Sequence, residues 1–194
     1  MFHDNDFEDY TTRHQEIKNM PLYKKASEII ELVRQICDLF PEDNKKLNIF
    51  KPDILRDAYT LQAKITGAEA TGLYDIRMEN ATLIRMAAKN LHTHIHTLRI
   101  YKFEHAEYFR LVRQLIEEFR ILFIEWVAGF DKNNYIIDRW GLFNPEGVSP
   151  FDEDQEELST SDINKNKTFN ELYSVLFDDD DEDDFDEEDE EDDF

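Results

Sequence analysis

In residues 21–40, "PLYKKASEIIELVRQICDLF", the apolar positions Leu22, Ala26, Ile29, Val33, Ile36 and Phe40 alternate spacings of four and three. That repeat lines one face of an α-helix and no face of a β-strand. The pattern returns three times: in Ile54, Ala58, Leu61, Ile65 and Ala68; in Ile84, Ala88, Leu91, Ile95 and Leu98; and in Phe109, Val112, Ile116, Phe119, Phe123, Trp126 and Phe130. Pro21 and Pro52 suit first helical turns, and Pro41, Gly72 and Gly129 lie where the runs end. The spacing predicts helices over 21–40, 52–71, 73–102 and 104–130, with no competing two-residue alternation. Four amphipathic helices joined by short connections predict an all-α fold, an antiparallel up-down four-helix bundle over residues 21–130.

The flanks differ in kind. Residues 1–20 are polar with scattered aromatics and read as an arm that docks on a neighbour or stays mobile. Residues 131–150 set Tyr135, Ile136, Ile137, Trp140, Leu142 and Phe143 among turn residues, and are expected to form a collar on the bundle or on another subunit. Beyond residue 150, "TFNELYSVLF" begins with a Thr168-x-x-Glu171 capping box and places Phe169, Leu172, Tyr173 and Leu176 on one helical face, a docking motif in form. The final seventeen residues, "DDDDEDDFDEEDEEDDF", consist of carboxylates around Phe185 and Phe194. Mutual repulsion of these groups predicts a disordered acidic tail.

Charge follows the same division. Residues 1–150 carry 20 Lys+Arg against 23 Asp+Glu, a balance of −3; residues 151–194 carry 2 against 22, a balance of −20; together they give the chain's −23. The helical part is therefore close to neutral, and overall acidity does not exclude a polyanionic partner there. The lone Cys37, on the core side of the first helix, excludes an intrachain disulfide. No apolar run approaches the ~18 residues of a membrane span, and no segment has the form of a secretory leader. These features predict a soluble cytoplasmic protein without membrane contact.

Within this acidic chain, residues 83–103, "LIRMAAKNLHTHIHTLRIYKF", hold no carboxylate. About 100° round the third predicted helix from its apolar line lie Arg85, Lys89, His92, His96 and Arg99, spaced four, three, four and three, with Lys102 following. Such a basic stripe suits phosphates along a nucleic-acid backbone, with electrostatic, weakly sequence-selective and salt-dependent affinity. The plainer reading is a solvated or inter-subunit face paired with acid, such as Glu117 and Glu118 of the fourth helix or the tail. His92 and His96, one turn apart, have the spacing of a metal-ligand pair, but no second pair accompanies them. Glycine-rich phosphate loops, nucleophile elbows and Cys–His signatures are all missing from the sequence, so no catalytic residue, cofactor or small-molecule substrate is assigned.

The order of these parts resembles a known family. The Leu22-Tyr23-Lys24-Lys25 helix closing on Phe40-Pro41, the Ala68-Glu69-Ala70 end of the second helix, Leu98-Arg99 late in the third and Trp126 near the close of the fourth carry the likeness. The chain resembles four-helix-bundle proteins encoded in ribosomal RNA intervening sequences and, more closely, the accessory variability determinant proteins of diversity-generating retroelements. The resemblance implies a non-catalytic bundle that assembles as a homopentamer and uses a basic surface to bind a reverse transcriptase with its template RNA. On that expectation the stripe contacts RNA, and the tail, imitating a single strand, modulates binding. The alternative is a structural or adaptor protein in which Trp140, Phe169, Leu172, Tyr173, Leu176, Phe185 and Phe194 hold protein partners and nucleic acid plays no part.

Overall fold

The computed structural model describes residues 4–153, and everything below concerns those residues. They form six α-helices and no strand: α1 (Asp4–Asn19), α2 (Pro21–Asp38), α3 (Lys45–Asn48), α4 (Lys51–Thr71), α5 (Tyr74–Ile100) and α6 (Phe109–Ala128), with a 3-10 turn at Ala106–Tyr108 before the last. The all-helical class is what the apolar spacing predicts. Helix α2 packs against α4 and α6, and α5 packs against the same two, so the four long helices enclose a common core. Ile29, Val33, Ile54, Leu61, Ile65, Ile84, Leu91, Ile95 and Phe109 are fully buried in it. The predicted line of α5 shifts by one residue in its middle, because Ala87 is buried and Ala88 only partly so.

Residues 4–19, read as an arm that docks on a neighbour or stays mobile, are helical. Lys18 lies in the last turn, where a helix macrodipole favours a cation. Ile17 is buried, and Arg13 donates to the backbone carbonyl of Glu69. Met20, restricted by Pro21, takes an extended conformation (φ −59°, ψ 137°) and separates α1 from α2.

Glu69 and Trp126 meet in space. Trp126 Nε1 donates to Glu69 Oε1 at 2.7 Å, and Arg77 Nη2 holds the other carboxylate oxygen at 2.8 Å. The Arg77 guanidinium also lies 5.2 Å from the centroid of the Phe130 ring. This polar cluster joins α4, α5 and the end of α6. At the end of α5, Lys102 adopts a left-handed conformation (φ 56°), Phe103 N–H bonds to Leu98 O and Lys102 N–H to Arg99 O. This Schellman arrangement turns Phe103 inward, edge-on to Phe40 at 4.8 Å.

Residues 131–137 return to the α4–α5 turn. Tyr74 N–H bonds to Asn134 O, Asn134 Nδ2 donates to Gly72 O, and Ile136 N–H donates to Asp75 Oδ1 at 2.9 Å. Burial raises the Asp75 carboxyl above its ordinary range, against the opposing effect of those backbone donors. The folded chain therefore holds this proton more tightly than the unfolded chain, so Asp75's contribution to stability falls as pH rises through that window. Asp75→Asn keeps an acceptor for Ile136 and carries no charge to desolvate. Urea unfolding should find it at least as stable as wild type at neutral pH, with a smaller loss as pH rises above the ordinary carboxyl range. Asp75→Ala should lose about 1–3 kcal/mol, because the Ile136 donor is left unpaired. Equal losses for the two variants would contradict this account.

Candidate nucleic-acid interface

The α5 stripe lies along the boundary with α6. Arg85, Lys89, His96 and Arg99 are exposed there, His92 is half-buried, and exposed Lys102 follows the helix end. His94 lies apart from them: its Nε2 donates to Asp57 Oδ2 at 2.9 Å, and Asn90 Nδ2 donates to the other carboxylate oxygen, so this side chain ties α5 to α4. Arg85 and Lys89 make no ion pair among the described residues.

Helix α6 contributes a second basic row, which the sequence reading missed. Arg110, Arg113 and Arg120 are spaced three and seven, hence on one face of the helix. Arg113 Nε donates to His92 Nε2 at 3.0 Å, across the α5–α6 boundary. His92 Nε2 is the acceptor of this bond. Toward one end of the face, Glu107 accepts from Arg99 at 2.7 Å and from Arg110 at 2.7 Å, and the Arg99 hydrogen bond holds its carboxyl below the ordinary range. Arg120 pairs with Glu117 at 2.8 Å. Glu118 is turned to α2, where it meets Lys25 at 2.7 Å. The expected pairing of the stripe with Glu117 and Glu118 is thus replaced by pairs within α6 and with α2.

Beyond the His92–Arg113 bond the two helices part around a hollow of about 460 Å³. Ile84, Ala88, Ile116, Phe119 and Phe123 form its floor, with Arg85, Lys89 and the Arg120–Glu117 ion pair at the rim. Apolar floor and cationic rim together suit a ligand that is both negatively charged and partly apolar, a description that fits nucleotides and acidic peptides with aromatic side chains. No group of three His, Cys, Asp or Glu side chains with metal-holding geometry occurs among the described residues. No described helix is long and apolar enough to cross a membrane.

Of the partner-binding candidates, Trp140 is the only one within the described residues. It is 89% exposed and Leu142 74%, so within the segment expected to collar the bundle or another subunit these two side chains do not pack on the described helices. Phe169, Leu172, Tyr173, Leu176, Phe185 and Phe194, with the short helix expected near 168–177 and the acidic tail, lie outside the described residues. Comparison of the chain with protein-family models, with curated proteins and with solved structures gives no match.

Proposed function

We propose that the chain is a non-catalytic accessory protein that holds single-stranded nucleic acid, RNA in preference, along the α5–α6 face of an antiparallel up-down four-helix bundle. One observation carries the reading: in a chain of formal charge −23, Arg85 and Lys89 from one helix and Arg120 from the next line a single apolar-floored groove, with Arg113 bonded to His92 at its edge. Arg85, Lys89, Arg99, Lys102 and Arg113 would contact phosphates, and the exposed part of Phe123 would offer a ring for a base. The family resemblance supplies the rest of the proposal: a reverse transcriptase as protein partner, its template RNA as ligand, and self-association, with five copies as the number. Exposed Trp140 favours, at a second surface, the protein–protein contacts of the adaptor reading.

The tail enters as a competitor. Its carboxylates oppose a bound strand and offer the basic face an alternative at high local concentration. Deleting residues 178–194 should strengthen binding of single-stranded RNA at low salt, measured by fluorescence anisotropy. Equal affinities would remove the tail from the account, and no binding by either form would overturn the nucleic-acid reading itself.

A further inference from the structure

The loop over residues 138–152 and the hollow between α5 and α6 are complementary in shape, polarity and charge. We propose that the loop of one copy of the chain seats in the hollow of a second copy, with Trp140 over the floor of Ile84, Ala88 and Phe123. Trp140, Leu142 and Phe151 are 89%, 74% and 90% exposed, a cluster of apolar surface of the kind that marks an interaction site.

The backbone beneath them is fixed. Asp138 Oδ1 accepts the Trp140 N–H at 2.9 Å, and its Oδ2 accepts the Leu142 and Phe143 N–H groups at 2.8 and 2.9 Å. Asn144 closes the turn by accepting from Asp138 N at 2.7 Å and donating to Asp138 O at 3.0 Å. Arg139 Nη1 binds the Pro150 and Asp152 carbonyls at 2.9 and 2.7 Å, tying the two ends of the loop together. Gly141 has φ +71°, and a Cβ there would lie 3.2 Å from Pro150 Cγ, so a larger residue would strain the closed loop. A knob held this firmly loses little freedom on binding.

The hollow is of a size to receive a large side chain, and among the described residues it is lined by α5 and α6. Glu146 and Glu153 of the incoming loop would meet Arg85 and Lys89 of the rim. Knob and hollow are different surfaces, so the contact is head-to-tail and builds a ring wherever the rotation closes. The seated loop and a strand would compete for Arg85, Lys89 and Phe123, so one hollow holds one or the other. The inference gives the self-association within the proposed function an interface, and rests on that part of it alone.

The test is sedimentation velocity of the full chain over a concentration series without nucleic acid. Wild type should self-associate; Trp140→Ala should weaken association at least ~30-fold, as for a tryptophan at the centre of an interface. Ala88→Trp, which fills the hollow, should do the same, and Arg85→Glu should weaken association should Ala88→Trp fail to fold. Mixing Trp140→Ala, which keeps its hollow, with Ala88→Trp, which keeps its knob, should give a one-to-one pair that neither variant forms alone. Unchanged association of Trp140→Ala would overturn the interface while leaving self-association standing. A wild-type chain that stays monomeric up to about 1 mM would overturn both.

Discussion

Lys89→Glu combined with Arg113→Glu should lower affinity for single-stranded RNA about a hundredfold or more at low salt. Two charge-assisted contacts of about 1.5 kcal/mol each account for that factor, before any repulsion from the new carboxylates. The positions stand on either side of the α5–α6 boundary, so the pair tests the shared face rather than the charge of α5 alone. Lys89 makes no ion pair among the described residues, and Arg113 gives up only its bond to His92, so the helical circular dichroism should be unchanged. Lys24→Glu and Lys64→Glu, on α2 and α4, change net charge equally and should shift affinity far less. Equal losses for the two pairs would mean that the binding follows net charge and has no site.

Phe109→Ala should be the most destabilising single truncation near the start of α6, at about 3–5 kcal/mol by urea unfolding. Phe109 is fully buried and follows directly on the 3-10 turn that brings the chain back from α5. Removing the ring leaves a cavity where the turn, α5 and α6 meet, and that loss is a large share of the ~5–15 kcal/mol that keeps a domain folded. Ile121→Ala on the same helix, 55% exposed, should change stability by less than about 0.5 kcal/mol. A Phe109→Ala chain as stable as Ile121→Ala would contradict the assignment of α6's buried face.

The four long helices were legible because each alternates its apolar residues at spacings of four and three over three or more turns, and because proline and glycine mark their ends. Helix α1 was not, since its segment is polar and its apolar residues do not sustain the alternation of four and three; Ile17 is buried there. The α5 stripe could be read from periodicity within one helix. Its counterpart on α6 required knowing that α5 and α6 are neighbours, a tertiary fact that the spacing of Arg110, Arg113 and Arg120 hints at but does not supply. The segment after Ile137 reads as packing on the bundle or on another subunit, and its spacing does not decide between them. Its aromatic content looks like core, but Asp138 spends both carboxylate oxygens on backbone donors, and those bonds form a loop that carries Trp140 outward. Hydrophobicity alone does not distinguish a residue packed inside its own chain from one displayed to another.

The most direct test of the basic groove is a salt titration of single-stranded RNA binding by the full-length chain. The account predicts that the logarithm of the binding constant falls linearly with that of salt concentration, by about 0.7 for each phosphate contacted, and that the slope flattens by roughly 1.4 when Lys89 and Arg113 are reversed. Binding indifferent to salt, or a slope unchanged in that variant, would contradict it.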